Sequence, residues 1–203
     1  NVKQHFDISI HKEIPVKAGL GGGSSNAAAV LRGFFHILKM KPTSEDVISL
    51  AKDIGADVPY CIYNLPSRVQ GIGEKIQFII SRIKYNVLLV KPKEGLSTKD
   101  VFSKCDEKTY NNTDIPALLE ALRNGDEDGV TKYMRNALEE TAMSMLPEIK
   151  TIKDSLLNDG LKMVMMSGSG SSVFALSQNK RRLAKLSRKY ERLGYDVILT
   201  KLL

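Results

Sequence analysis

The chain has 203 residues, and 42% of them are hydrophobic, which is enough for a packed core and excludes an intrinsically disordered protein. No apolar run approaches the roughly 20 residues of a membrane span, no signal-peptide pattern opens the sequence, and two cysteines exclude a disulfide framework. We therefore expect a cytoplasmic protein of one large or two small domains, without a zinc site.

The formal net charge of +7 makes nucleic acid, a membrane surface and an anionic nucleotide candidate partners. Much of the positive charge lies in one predicted helix, in Lys180, Arg181, Arg182, Lys185, Arg188, Lys189 and Arg192. These residues cover several helix faces, and no aromatic pair is interleaved with them for base stacking. We interpret them as a solvated face and expect neither nucleic acid nor membrane as a partner.

The first predicted element is a strand. Residues 5–10 alternate between polar and apolar side chains, which is typical of a half-buried strand, and residues 14–18 could extend it or pair with it. A chain that begins inside a sheet indicates that further sequence precedes it, so we expect residues upstream of Asn1.

A glycine-rich stretch follows at residues 19–26, where four glycines lead into two serines and an asparagine, and then into an alanine-rich run. Serine and asparagine are common N-cap residues and alanine favours helix, so a helix is predicted over residues 24–38. The free N–H groups of residues 21–26 would form a cradle for a phosphate. The spacing fits neither a P-loop nor a dinucleotide fingerprint, and the alternative is a flexible hairpin or linker.

A second helix is predicted over residues 45–54, with Ser44 as its N-cap and Gly55 as its C-cap. Asp57 follows in the sequence Gly-Ala-Asp-Val-Pro. It is either a turn residue that bonds its own backbone or a carboxylate held near the phosphate loop. Cys61 has no adjacent base and is predicted to be a packed thiol.

The middle of the chain predicts strands at 67–70, 75–80 and 85–91, with a Gly-Ile-Gly-Glu turn at 71–74. Ser97 is predicted to cap a helix over residues 98–104. Phe102 in this helix fits a core contact on an amphipathic face.

The last part predicts helices at 115–123, 126–134, 136–145 and 148–158, a strand at 161–166, a strand at 173–177, a helix at 180–192 and a strand at 195–202. The loop between the first two of these strands, residues 167–172, contains two glycines and four serines. It is either a β-hairpin turn or a second set of backbone N–H groups that face phosphates.

Three stretches resemble motifs of the GHMP kinases. Residues 15–28, which read P-V-K-A-G-L-G-G-G-S-S-N-A-A, look like the ATP-binding motif of that family. Residues 55–59 resemble the segment that carries its catalytic aspartate, and residues 166–171 resemble its third glycine motif. Further agreement at 71–74 and 97–99 places the matches in the right order, which is much stronger evidence than one glycine-rich loop.

The resemblance implies an α+β, two-lobed fold. The expected lobes are a ribosomal protein S5 domain 2-like N-terminal lobe over residues 1–90 and a ferredoxin-like, helix-plus-sheet C-terminal lobe over residues 91–203, with the site between them. The most similar branch of the family uses ATP to phosphorylate the 2-hydroxyl of 4-diphosphocytidyl-2-C-methyl-D-erythritol in non-mevalonate isoprenoid biosynthesis. The alternatives are another GHMP kinase, acting on homoserine, mevalonate or a sugar, and a truncated, non-catalytic nucleotide-binding module.

The resemblance also implies roles for individual residues. Asp57 would be the catalytic residue, and Phe102 would help to sandwich the cytosine. ATP would be bound by Pro15, Ala18, Gly19, Leu20, Gly21, Gly22, Gly23, Ser24, Ser25 and Asn26. The acceptor would be bound by Thr98, Phe102, Gly168, Ser169 and Gly170. Either Ser24 or Ser25 can ligate Mg²⁺, and Ser25 is the candidate.

Members of the family carry an N-terminal portion with a Lys-x-Asn strand, and a lysine there partners the aspartate. That portion also carries a substrate-contacting segment. Neither the strand nor the segment is recognised at the start of this sequence, so we expect both, and the lysine, upstream. The expected partner is a small cytidine-diphosphate-linked polyol, and the expected state is a monomer or homodimer.

Overall fold

The computed structural model describes residues 5–41, 43–82, 84–106 and 113–202. The first half comprises α1 (Gly22–Ile37), α2 (Ser44–Ile54), α3 (Val58–Tyr63), β1 (Ser67–Gln70) and β2 (Lys75–Phe78). The second half comprises β3 (Asn86–Lys91), α4 (Thr98–Lys104), α5 (Ile115–Asn124), α6 (Glu127–Tyr133), α7 (Glu139–Met145), α8 (Glu148–Asn158), β4 (Met163–Met166), β5 (Val173–Ser177), α9 (Lys180–Arg192) and β6 (Asp196–Lys201). Within these ranges, no helix combines the length and the apolar character needed to cross a membrane.

The three helices of the first half share a small core. Ala28 and Leu31 of α1, Ala51 of α2 and Val58 of α3 are buried against one another. Arg32 of α1 also donates hydrogen bonds from one guanidinium nitrogen to the carbonyl oxygens of Cys61 and Ile62, both at 3.0 Å. This packing fixes the short helix α3, and the residue before it, relative to α1.

The predicted strand over residues 5–10 is wrong. These residues form no strand and are exposed apart from Phe6, whose ring centroid lies 4.8 Å from that of Phe34 on α1. An alternating pattern makes a strand only where another strand completes the hydrogen-bond ladder. In the described ranges no strand lies beside residues 5–10, and residues 14–18 form none either.

Two further differences from the predictions concern the N-cap of α2 and a short helix after it. The cap of α2 is Thr43 rather than Ser44, because Thr43 Oγ1 accepts from the Asp46 N–H while the Asp46 carboxylate accepts from the Thr43 N–H. Gly55 is the C-cap, as predicted. Residues 58–63 form α3, although their apolar and aromatic composition did not predict a helix.

The second half is built on a four-stranded antiparallel sheet in the order β4-β5-β3-β6. Helices α4, α7, α8 and α9 contribute to one large core against it, with Leu88, Ile149 and Leu183 fully buried. The predicted helices and strands of this half are confirmed within about three residues at each end. The residues between β4 and β5 do form a hairpin connection.

The position of β3 bears on the predicted boundary between the lobes. The predicted boundary after residue 90 falls inside β3, and the whole strand pairs with β5 and β6 in the sheet of the second half. The division into 1–90 and 91–203 stays a prediction, and the pairing favours a boundary before Asn86.

Candidate active site

The glycine-rich loop ends in a helix start with unpaired amides. Gly21 adopts the left-handed conformation, with φ of 62°, and α1 begins at Gly22. The first helical hydrogen bond runs from the Ser25 N–H to the Gly21 carbonyl, at 2.9 Å. The amides of Gly22, Gly23 and Ser24 therefore have no helical partner, and the first turn carries no acidic residue. This end of the helix is electropositive and suits an anion.

The helix start differs from the one predicted from the cap residues. The first turn begins two residues earlier, and Ser24, Ser25 and Asn26 lie within α1 rather than at its cap. The reason is that a glycine in the left-handed conformation reverses the chain before the serines are reached. The Ser25 N–H already donates to the Gly21 carbonyl and Asn26 lies deeper in the helix, so the predicted cradle of residues 21–26 loses these two amides, and the free helical amides are those of residues 22–24.

A second glycine-containing loop, residues 167–172, packs directly on the first. Ser167 Oγ donates to the Gly19 carbonyl at 2.8 Å, and the Ser172 N–H donates to the Ala18 carbonyl at 3.3 Å. A Cβ atom at Gly19 would overlap the Ser167 carbonyl oxygen, and Gly19 has φ of 68°, so only glycine permits this close approach. The two loops thus form adjacent walls of one cleft.

Asp57 lies at the mouth of the same cleft. It is the N-cap residue of α3, but its carboxylate makes no capping hydrogen bond and is exposed. The turn between β1 and β2 supports this segment, because a Cβ atom at Gly73 would overlap the carbonyl oxygen of Ala56. The alternative of a turn aspartate bonded to its own backbone therefore does not hold, and the carboxylate is available to a ligand.

Helix α4 forms the opposite wall. Its N-cap is Ser97, as predicted, and Val101 is buried in the core. Thr98 Oγ1 lies 2.9 Å from Ser169 Oγ, which ties the helix to the second glycine loop. Phe102 lies one turn after Thr98 and is 51% exposed. Phe102 is therefore not a core contact, and its ring is available to stack on a ligand.

The cleft has a volume of about 410 Å³. It is lined by Lys12, Pro15, Val16, Lys17, Ala18, Gly19, Leu20, Gly21, Gly22, Gly23, Ser24, Asp57, Thr98, Phe102, Leu138, Gly168 and Ser169. The structure thus brings together residues from three motifs that are far apart in the sequence. Three predicted site residues do not line it: Ser25 is exposed on α1, Asn26 is half-buried, and Gly170 is buried within the second loop.

Four of the lining residues were not predicted from the sequence. Lys12 and Lys17 add two positive charges to the cleft, while Val16 and Leu138 add apolar surface. The two lysines lie close to the glycine-rich stretch, but nothing in their spacing indicated which way they point. Leu138 lies more than 100 positions after the first glycine-rich loop in the sequence, so only the fold brings it into the cleft.

Neither a cysteine nucleophile nor a metal site built from several side chains is supported in the described residues. Burial raises the pKa of the Cys61 thiol, which agrees with a packed thiol rather than a nucleophile. No group of three or more His, Cys, Asp or Glu side chains that could hold a metal occurs within the described ranges.

Comparison with known proteins agrees with the geometry of the cleft. Residues 1–64 match the family model described as GHMP kinases N terminal domain, and residues 118–196 match the one described as GHMP kinases C terminal. The 4-diphosphocytidyl-2-C-methyl-D-erythritol kinase of Exiguobacterium sibiricum is 36% identical over 203 residues, which is 100% of this chain and 71% of the relative. This chain belongs to the GHMP kinase family.

Further relatives give the same result. The 4-diphosphocytidyl-2-C-methyl-D-erythritol kinase of Ligilactobacillus salivarius is 37% identical over 197 residues, covering 97% of this chain and 68% of the relative. A crystal structure of 4-(cytidine 5'-diphospho)-2C-methyl-D-erythritol kinase superposes with a TM-score of 0.77 and 28% identity, over 94% of this chain and 68% of that one. The expected α+β GHMP kinase fold is confirmed.

A homoserine kinase from Cytophaga hutchinsonii superposes equally well, with a TM-score of 0.78 over 95% of this chain and 68% of that one. Its sequence identity is only 18%, so this likeness concerns the fold alone. The GHMP kinase fold therefore does not by itself choose the acceptor.

Proposed function

We propose that this chain is an ATP-dependent kinase that phosphorylates the 2-hydroxyl of 4-diphosphocytidyl-2-C-methyl-D-erythritol, a step of non-mevalonate isoprenoid biosynthesis. The observation that carries this proposal is the 36% identity, over all 203 residues, to a kinase named for that acceptor. The cleft supports it, because an anion cradle, an exposed carboxylate and an exposed aromatic ring line one cavity.

The phosphates of ATP would lie at the start of α1. The free amides of Gly22, Gly23 and Ser24 can donate to phosphate oxygens, and Lys12 and Lys17 bring positive charge to the same cleft. Phosphoryl transfer depends mainly on positioning and charge stabilisation of this kind. Ser25 and Asn26, which point elsewhere, would act only through the helix they belong to.

Mg²⁺ would accompany the ATP phosphates. It usually keeps several waters and takes few protein ligands, so the lack of a carboxylate cluster among the described residues is compatible with it. Ser24 lines the cleft and Ser25 does not, so we assign the serine ligand to Ser24 rather than to Ser25. The ion would supply charge neutralisation of the transferred phosphoryl group.

Asp57 would act on the acceptor hydroxyl. Its carboxylate takes the proton as the hydroxyl oxygen forms a bond to the γ-phosphorus, and the bond from that phosphorus to the β,γ-bridging oxygen breaks to release ADP. The proton then passes to water. The exposed carboxylate at the cleft mouth can receive this proton without disturbing the core.

The acceptor would occupy the wall formed by α4 and the second glycine loop. Phe102 presents its ring for a cytosine, while Thr98, Gly168 and Ser169 provide polar groups beside it. Gly170 is buried and would shape the loop rather than touch the acceptor. We also propose a cytoplasmic location and a monomeric or homodimeric state.

Acceptor choice is tested directly. The protein, at its natural length, should form ADP with 4-diphosphocytidyl-2-C-methyl-D-erythritol and not with homoserine, mevalonate or a hexose. ADP formation with homoserine or mevalonate would transfer the proposal to another branch of the family. ATP binding without turnover on any acceptor would favour the alternative of a non-catalytic nucleotide-binding module.

Phe102→Ala tests the cytosine contact. Loss of one stacked base is worth about 1–3 kcal/mol, so KM for the cytidine-bearing acceptor should rise about tenfold while the Kd of ATP is unchanged. The matched control is Phe78→Ala, which removes a ring that is 53% exposed and does not line the cleft. Equal effects of the two variants on KM, or a parallel loss of ATP affinity in Phe102→Ala, would contradict the stacking role.

A further inference from the structure

Asn136 holds the second glycine loop from behind. It lies between α6 and α7, and its amide nitrogen Nδ2 donates to the carbonyl oxygens of Met166, at 2.9 Å, and Gly168, at 2.8 Å. Its Oδ1 accepts from the Leu138 N–H at 3.0 Å, which orients the side-chain amide. One side chain therefore fixes two carbonyls on either side of Ser167.

The bond to Gly168 sets the direction of the next amide. The peptide between Gly168 and Ser169 is trans, and in a trans peptide the C=O and the N–H point in opposite directions. Because the Gly168 carbonyl points to Asn136, the Ser169 N–H points away from Asn136. Ser169 lines the cleft and Asn136 does not.

The backbone N–H of Ser169 has no hydrogen-bond acceptor among the described residues. Ser169 is only 6% exposed. Most backbone N–H groups in the interior of native proteins are paired with an acceptor. An amide in this state at a cleft wall is suited to an anionic oxygen of a ligand.

The loop leaves this orientation only partly determined. Turning over the Gly168–Ser169 peptide changes ψ of Gly168, which glycine tolerates at its φ of 53°, and moves φ of Ser169 toward the left-handed region, which serine disfavours. The bond from Asn136 to the Gly168 carbonyl adds to this backbone preference. A flipped peptide would turn the Gly168 carbonyl toward the cleft and repel an anion. Glu139 steadies the same strand end, because its Oε1 accepts from the Met166 N–H at 2.8 Å while its other oxygen pairs with Lys153.

We propose that Asn136 is a positioning residue that keeps the Ser169 N–H, rather than the Gly168 carbonyl, directed at a diphosphate group in the cleft. This inference rests on the proposed function only for the identity of the ligand that carries the diphosphate. The diphosphate belongs either to ATP or to the cytidine-bearing acceptor, and both present the same chemistry to the amide.

The test compares two asparagines that make the same kind of contact. Asn136→Ser removes both donor bonds without adding charge and keeps an oxygen near the Leu138 N–H. The control is Asn86→Ser, because Asn86 Nδ2 also donates to two backbone carbonyls, those of Ser177 and Gln178, at the opposite end of β5. Asn136→Asp serves as a second variant that preserves size and the bond to Leu138.

Binding of ADP and of CDP is measured by calorimetry, and the Ser169 amide resonance is followed by NMR in each titration. In the wild type one of the two diphosphates should move this resonance downfield. We expect Asn136→Ser and Asn136→Asp each to weaken that ligand about tenfold and to abolish the shift, while Asn86→Ser behaves as wild type. If ADP moves the resonance, the Ser169 amide binds the diphosphate of ATP. If CDP moves it, the amide binds the diphosphate of the acceptor.

Three results would overturn the proposal. They are a wild-type Kd in Asn136→Ser, an equal loss in Asn86→Ser, and a Ser169 resonance that neither diphosphate moves in the wild type. These binding measurements do not require turnover. A protein that fails to phosphorylate the proposed acceptor but binds ADP or CDP as described would leave the role of Asn136 intact.

Discussion

Asp57→Asn should lower kcat for acceptor-dependent ADP formation by about 10²–10⁴-fold, the usual contribution of a general base. Asparagine keeps the shape of the side chain but cannot take the proton of the acceptor hydroxyl. The Kd of ATP should change little, because the phosphate amides belong to α1 and not to α3. Stopped-flow or steady-state kinetics on the protein at its natural length, together with ATP calorimetry, measure the two quantities.

The stability of the Asp57→Asn protein should be that of the wild type. The carboxylate is exposed and makes no capping hydrogen bond, so the fold does not depend on its charge. Asp53→Asn, at an exposed position on α2 away from the cleft, makes the same chemical change and should leave kcat unaltered. If kcat of Asp57→Asn stays within a few-fold of wild type, another group must be the base.

Gly23→Asp should weaken ATP binding by roughly 100-fold without weakening the fold. A Cβ atom at Gly23 meets no other atom within 4 Å, so the side chain is accommodated. Its carboxylate would face the phosphates, and two unit charges about 5 Å apart repel by about 3 kcal/mol at an effective dielectric constant of 20. The same carboxylate, in the first turn of α1, interacts favourably with the helix dipole by about 0.3–1 kcal/mol.

In Gly23→Asp the affinity for ATP should fall while the stability of the fold does not, and this combination is expected only if an anion binds at the start of α1. The melting temperature should stay level or rise while the Kd of ATP increases. Gly33→Asp is the matched control, because it adds the same charge to the same helix at a position that also has open space and lies outside the cleft. A Gly23→Asp protein that binds ATP like the wild type would mean that the phosphates do not approach the start of α1.

The secondary structure of the second half could be predicted because its signals are local. Ser97, Asp114, Asp126 and Asn179 are N-caps whose side chains accept from amides three residues later, and Ser97 was named as a cap from the sequence. Such signals need no partner to be recognised. The two glycine-rich motifs and the segment that carries Asp57 could likewise be recognised in the sequence, because their residues and their order along the chain are properties of the sequence.

Other features were decided only by the tertiary structure. Residues 5–10 alternate like a strand but have no ladder partner in the described ranges, while α3 forms because Val58 packs against α1 and Arg32 holds its last carbonyls. The start of α1 was set by the left-handed conformation of Gly21, which competes with the cap signal of the serines.

The candidate site shows the same division. The sequence alone determined that an anion-binding helix start, a carboxylate and a second glycine loop are present. Their meeting depends on Gly19 lying against Ser167, a contact between backbones 148 residues apart that no spacing encodes. The directions of Ser25 and Lys12, and the hold of Asn136 on the second loop, likewise follow from how distant segments pack. Local preferences act over a few residues, whereas side-chain direction in a cleft is set by every segment that surrounds it.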